Sequence, residues 1–434
     1  MPELAEPADT IAPLARGDAT GVMMPATPAA LVHDAATFLT RAMQAYGTLP
    51  PTGRVVRVNH FSEFAGGNSG RKAQFDVVYA GDAGDLPTRL FAKFSRDFED
   101  PFRDRRRSEI EGDIRLAALS RHPAFPVAVP RALFGDYEAQ SGTGLLITER
   151  VAFGTGPIEP LHPKCMDHLL DDPREYYATL LSAQARLAAA CQAGRLSPLV
   201  DELFPYDRIA AEADLPIGYD NAALADKVTR WCDFIDAHPQ LFPTALRSAQ
   251  WRPRFQQEAA AILASQASVR RFLQADPRFV ALAHWNANID NAWFWREPGG
   301  DLHCGLLDWG MVRPMNLGTG LWGGLSAAGT GFLLSELDDL LDHYRHVLAA
   351  HGGAAVSRAD LAAHFDLALA ITGLALMMDF PALAEARLPG IGSATGPLDP
   401  VITGEKVIQG FLLVSTNFLA LWEQRGFAAH LDRL

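Results

Sequence analysis

The chain is short of cysteine, of surplus positive charge and of long apolar runs, and each shortage narrows what it can be. Four cysteines in 434 residues (Cys165, Cys191, Cys232 and Cys304) lie far apart without a C-x-x-C spacing. They read as buried thiols in a reducing, cytoplasmic setting. A formal net charge of −13 argues against general nucleic-acid binding, which needs a basic surface. It leaves a small-molecule site open, because local charge can oppose the global sign. The most apolar stretch, Val407 to Trp422, is too short to span a bilayer comfortably and contains Gln409, Ser415, Thr416 and Asn417. It predicts a buried C-terminal helix and no membrane span. Residues 1–26 are rich in Ala, Pro and Asp and lack a basic-plus-apolar signal pattern, so they read as a mobile arm. No internal repeat occurs at a solenoid period.

What is present has the composition of a globular protein, 48% hydrophobic and 21% charged, at a length that suggests two domains or three. Thr27-Pro28 is a cap and first-turn pair, followed by Leu31, Ala35, Phe38, Ala42 and Tyr46 at helical spacing. The chain then turns β-prone. Phe75–Tyr79, Arg89–Phe94 and Gly144–Glu149 are short apolar runs set off by Gly/Asp turns, with one charged helical stretch from Arg103 to Leu119 and a Pro-containing connection after it. From Asp172-Pro173 helical periodicity dominates, with one stripe through Tyr177, Leu180, Leu181, Gln184, Leu187, Ala188 and Cys191 and another from Leu333 to Leu348. Leu388 to Gly404, rich in Gly, Pro, Ser and Thr, reads as a long surface loop. The division is an N-terminal helix and β-rich lobe over 27–150 and a mainly helical lobe over 151–434.

Inside the helical part lie Leu282-Ala283-His284-Trp285-Asn286-Ala287-Asn288-Ile289-Asp290-Asn291 and, after a turn through Pro298-Gly299-Gly300, Gly305-Leu306-Leu307-Asp308-Trp309. An apolar strand ends in His, Asn follows seven residues later, and a second apolar run ends in Asp. The pattern resembles the catalytic loop and metal-binding strand of the aminoglycoside phosphotransferase and choline kinase-like family, H-x-D-x-x-x-x-N followed by an apolar strand ending D-W or D-F.

The resemblance implies an α+β, two-lobed protein-kinase-like fold, with a small antiparallel β-lobe and a larger mainly helical C-lobe. It implies ATP and Mg²⁺ as cofactors and a small-molecule hydroxyl acceptor as the partner. Asn291 and Asp308 correspond to the two metal ligands, an amide oxygen and a carboxylate that suit a hard cation. His284 would brace the loop. Upstream, Gly66, Gly67, Asn68, Ser69 and Gly70 correspond to a phosphate-covering loop, whose glycines let backbone approach phosphate oxygens. Lys93, embedded in Leu90-Phe91-Ala92-Lys93-Phe94, matches the strand lysine, and an ammonium among such neighbours needs a partner. Glu111 or Glu109 would be that partner, with Glu111 fitting the family spacing better. Glu149 to Val151 would form the hinge whose backbone meets adenine.

One departure sits at the chemical centre. Asn286 stands at the position of the family's base, and an amide is not a base at neutral pH. Trp285 replaces the usual Gly beside it, and Met315-Asn316-Leu317-Gly318 occupies the place of a further Asp. Asp290 is a candidate for a shifted base role. Two functions follow: a phosphotransferase with an atypical loop, or a nucleotide-binding pseudokinase with little transfer. The segment Ala368 to Phe380 is apolar where an aminoglycoside would want carboxylates, so an acceptor there would be neutral or partly apolar.

Overall fold

The computed structural model describes residues 14–64 and 70–434. The fold is α+β and comprises two compact units. The first gathers the chain up to Pro123 with Val129–Ala152 and Asp308–Val312; the second holds Ala124–Ala128, Phe153–Leu307 and Arg313–Leu434.

The first unit opens with a hairpin, β1 (Leu14–Arg16) against β2 (Met23–Pro25). The stretch read as a mobile arm is therefore structured from Leu14 onward, while residues 1–13 lie outside the described residues. The reason is Asp136, a buried carboxylate that accepts from Ala19 N at 3.1 Å and Thr20 N at 2.7 Å in the hairpin turn. Gly17 permits this approach, since a Cβ there would lie 2.1 Å from Asp136 Oδ2. Helix α1 (Pro28–His33) starts as its sequence predicts, with Thr27 Oγ1 accepting from Ala30 N. Helix α2 (Ala35–Ala45) buries Leu39, Ala42 and Met43.

Strands β3 (Arg54–Phe64), β4 (Lys72–Ala80), β5 (Arg89–Phe94), β6 (Ala132–Glu138) and β7 (Thr143–Glu149) form an antiparallel sheet in the order β3-β4-β5-β7-β6. Helix α3 (Arg107–Leu119) lies between β5 and β6 in the chain. Strand β6 falls in the stretch read as a connection. Its Gly135-Asp136 interrupts the apolar alternation, and Asp136 is buried to hold the hairpin rather than exposed as a turn residue. Alternation along the strands divides the two faces. Phe75, Leu90, Ala92, Phe94, Leu145 and Ile147 join the α2 core, whereas Leu146 packs with Ile110, Ile114 and Ala117 of α3. Lys93, between Ala92 and Phe94, is thereby sent to the α3 face.

The second unit is mainly helical. It contains α4 (Pro173–Gln192), α5 (Leu199–Leu203), α6 (Arg208–Ala213), α7 (Asn221–Ala237), α8 (Trp251–Ala264) and α9 (Gln266–Ala275). Strand β8 (Val280–His284) pairs with β11 (Val312–Asn316), and β9 (Ala292–Arg296) with β10 (Leu302–Leu306). Then follow α10 (Leu317–Leu325), α11 (Thr330–Ala350), α12 (Arg358–Leu376), α13 (Phe380–Arg387), α14 (Pro400–Thr403) and α15 (Lys406–Arg425). The caps are those of the sequence: Asp172 accepts from Arg174 N and Glu175 N, and Ser357 Oγ from Asp360 N. The stretch Val407–Trp422 lies within α15 and buries Ile408, Leu412, Phe418, Leu421 and Trp422, as expected of a core helix. Helix α12 is the one helix among the described residues long and apolar enough to cross a membrane, and 72% of that window is buried inside the protein. The loop read over 388–404 is pinned by buried Ile391, Ala394 and Ile402 and contains the short α14.

Candidate functional site

In the first unit the site is built around Lys93. Its Nζ stands 2.6 Å from Asp113 Oδ2 and also donates to Asp308 Oδ1. Lys93 and Asp113 are almost wholly buried, while the Asp308 side chain is 31% exposed. Burial alone would depress the Lys93 ammonium, but the two carboxylates outweigh it and hold the lysine above its ordinary range. Burial, with the charge of Asp308, pushes Asp113 upward against the pull of Lys93.

The helix partner is Asp113 and not Glu111. On α3, residues 109 and 113 are one turn apart and share a face, whereas residue 111 is rotated about 200° from Glu109. Glu111 turns outward and pairs with Arg115 on the next turn. Glu109 is buried but pairs with Arg106, leaving its Oε2 without a hydrogen-bond partner. A signal for Asp113 was present in the sequence, because it interrupts the apolar stripe of Ile110, Ile114 and Ala117 with a carboxylate. Its short arm suffices because α3 lies very close to the turn after Asp308. A Cβ on Gly112 would stand 2.9 Å from Gly310 O, and one on Gly310 would stand 2.8 Å from Glu109 O. Asp113 also takes a hydrogen bond from Trp309 N. Asp308 itself is left-handed, at φ 56° and ψ 61°, a strained backbone for a non-glycine residue.

Of the expected phosphate loop, Gly66, Gly67, Asn68 and Ser69 lie outside the described residues. Gly70 has φ +109°, and a Cβ on it would stand 2.1 Å from Phe94 O, so only glycine fits there. At the expected hinge, Glu149 ends β7. Its N–H donates to Arg131 O and its Oε1 accepts from Arg131 N, so both groups are already tied to the residue just before β6. Val151 is half-buried two residues on.

The second unit carries the loop after β8. His284 is fully buried; its Nδ1 accepts from Asn286 N at 3.1 Å, which puts the ring proton on Nε2, 2.8 Å from Leu307 O. The histidine ties the loop to the strand end that precedes Asp308, and Leu307 N donates to Asn291 O at 2.7 Å. Asn286 Oδ1 accepts from Asn288 Nδ2, and Asn286 O accepts from Asn291 Nδ2, both at 2.8 Å. The Asn291 Nδ2 bond leaves its Oδ1 as the atom with which it could hold a cation. Asn288 Oδ1 is buried without a partner. Trp285 is braced from below: a Cβ on Gly323 of α10 would stand 1.8 Å from Trp285 O, so that helix is a platform for the loop backbone.

Beside this loop, Asp167 is buried and accepts from the Tyr177 hydroxyl. Burial pushes its carboxyl up to about 6, opposed by that hydrogen bond and reinforced by the charge of Asp290. Asp167 lines a cavity of about 400 Å³ whose other walls include Leu241, Phe242, Thr330, Leu412 and Thr416. Neither Asp167 nor this cavity was read from the sequence, since Asp167 follows no motif. Most of the Ala368–Phe380 segment is core, although Ala368 and Ile371 line a separate cavity of about 340 Å³ with Arg270 and Arg313.

No protein-family model matches the chain, and no curated protein matches it in sequence. Among solved structures it overlaps the choline kinase from Cryptosporidium parvum Iowa II at 10% identity and TM-score 0.40, over 92% of this chain and 95% of that one. It overlaps a microcompartment-associated aminopropanol kinase at 15% identity and TM-score 0.42, over 90% and 98%. An aminoglycoside-3'-phosphotransferase of type VIII overlaps at 17% identity and TM-score 0.35, over 76% and 97%. At TM-scores below 0.5 these overlaps define neither an activity nor a substrate for this chain.

Proposed function

We propose that the protein is an ATP- and Mg²⁺-dependent phosphotransferase-like protein acting on a hydroxyl of a small molecule. The observation that carries this reading is the buried Lys93 bridging Asp113 on α3 and Asp308 after β10. An ammonium is retained in an apolar sheet at the cost of desolvation, with a partly exposed carboxylate beside it. That is a site for polyphosphate and a hard cation. The donor chemistry fits Mg²⁺: Asn291 Oδ1 and the Asp308 carboxylate would hold it, and the ion would neutralise phosphate charge. The cavity beside Asp167 is the acceptor site in this reading, and its largely apolar walls suit a neutral or partly apolar hydroxyl compound.

A nucleotide-binding protein with little transfer is the second reading, and Asn286 favours it. Its amide oxygen is already taken by Asn288, and it offers no proton acceptor of useful basicity. The two readings separate in one experiment, γ-phosphate transfer from MgATP to a panel of small alcohols with nucleotide binding measured alongside. Binding with transfer supports the enzyme, and binding without transfer supports the pseudokinase. Absence of nucleotide binding overturns both.

A further inference from the structure

We propose that Lys72 and Lys93 together form a two-lysine cradle for the phosphates of a nucleoside triphosphate, with Lys72 the cation that the ligand meets first. The proposal rests on the nucleotide-dependent reading above and extends it to a residue outside the resemblance.

Lys72 on β4 stands directly opposite Lys93 on β5, so both side chains leave the same face of the sheet, the one covered by α3. Phe94 N donates to Arg71 O, which makes the adjacent 71–94 pair the hydrogen-bonded one. Lys72 and Lys93 are then a non-hydrogen-bonded pair, the closer kind, with Cα atoms roughly 4.5 Å apart. Like charges in that position repel. The chain has only five lysines, and two of them are placed here.

Two carboxylates balance the pair. Asp113 and Asp308 both bind Lys93, and their charges also act on Lys72. The lysines differ in access: Lys93 is 3% exposed, whereas Lys72, two residues after Gly70, is half-buried. Arg96, just beyond β5 and paired with Asp100, adds positive charge on the same side, and Glu109 adds a negative one near Lys93. A sheet face with two opposed ammonium groups, one almost wholly buried and one half-buried, is suited to an anion with several charged oxygens in a row.

The test uses the full chain with two probes, magnesium tripolyphosphate and MgATP, and adenosine as the uncharged control. Lys72→Met should weaken both phosphate probes about tenfold or more, the scale of one charge-assisted hydrogen bond. Adenosine binding should be unchanged, and Lys72→Arg should keep most of the phosphate affinity. Melting without ligand is recorded for each variant, so that lost binding is told apart from lost folding; Lys72→Gln supplies the same comparison if Met disturbs the strand. Phosphate binding unchanged in Lys72→Met but lost in Lys93→Met would overturn the cradle while leaving the phosphotransferase reading intact. Lys72-dependent tripolyphosphate binding without transfer to any hydroxyl would uphold the cradle and remove the transfer activity. A wild type that binds neither probe removes both.

Discussion

Lys93 and Asp113 are twenty residues apart in the chain, and their charged atoms stand 2.6 Å apart with both side chains almost wholly buried. Removing one member of a buried pair leaves the other uncompensated, at a cost of about 3 kcal/mol. Asp113→Ala should therefore lower stability by about that amount in urea denaturation, tempered because Asp308 still binds the lysine. Glu111→Ala removes a surface pair with Arg115 and should cost under about 1 kcal/mol. Equal losses in the two variants would contradict the assignment of Asp113.

Asn286→Asp places a carboxylate where the loop holds an amide. The new oxygen can keep the hydrogen bond from Asn288 Nδ2, so the loop should survive the change. Transfer to a hydroxyl acceptor should rise by ~10²-fold or more if a missing base limits the protein. Single-turnover rates for wild type, Asn286→Asp, Trp285→Gly and the double variant check this. Brisk wild-type turnover with no gain from Asn286→Asp would show that this amide does not limit the chemistry.

Excess MgATP should raise the melting temperature. At a ligand concentration 100 times Kd the stabilisation is about 2.7 kcal/mol. Asp308→Ala should abolish most of the Mg²⁺ dependence of that shift, because the partly exposed carboxylate is the cation donor proposed here. The check is a thermal melt of each protein with ATP, with Mg²⁺ and with both; a shift in the variant that still grows with Mg²⁺ would exclude Asp308 as that donor.

Asp167 and His364 give pH dependences of opposite sign. Asp167 titrates at about 6 when folded, above its unfolded value near ~3.9. Its contribution is full below the unfolded value and is lost as pH rises through about 6, worth about 3 kcal/mol. His364, buried between Phe272 and Phe279 with Nδ1 accepting from Asn316 Nδ2, is lowered to about 4, first by burial. Its contribution is full above the unfolded value near ~6.5 and is lost as pH falls through about 4, again about 3 kcal/mol. Between pH 4 and 6 the two oppose. Asp167→Asn should raise stability at pH 7 and make the acid-side loss steeper, read from urea midpoints across pH 4 to 8. A variant whose midpoint tracks wild type at every pH would show that Asp167 does not titrate as described.

How much of this was legible follows from how local each signal is. The caps at Thr27, Asp172 and Ser357 need only neighbouring residues, and they stand where the sequence puts them. Lys93 was visible because an ammonium among Leu90, Phe91, Ala92 and Phe94 is costly unless paired, and the spacing of His284 exposed the loop it braces. The partner of Lys93 was not visible through the same motif, because the motif names Glu and the helix supplies Asp. The difference is made up by Gly112 and Gly310, two glycines far apart in sequence whose shared role exists only after folding. Strand β6 and the first hairpin were missed together, since each is explained by the other. Asp136 looks like a turn residue until Ala19 and Thr20 are found donating to it.

That hairpin has a further consequence, for behaviour in concentrated solution. Strand β6 is an outermost strand, and an outermost strand offers a row of open backbone groups to any neighbouring chain. Here Tyr137 O is taken by Asp18 N, Ala139 N by the Asp18 carboxylate, and Leu133 O by the Thr48 hydroxyl. The opposite outermost strand, β3, is protected differently, by two register irregularities and by Arg54, Arg57 and Glu63 along its length. A chain trimmed past Pro25 would lose the two Asp18 contacts that guard β6 and nothing on β3, and it should self-associate strand to strand and precipitate while its Lys93 ion pairs remain in place.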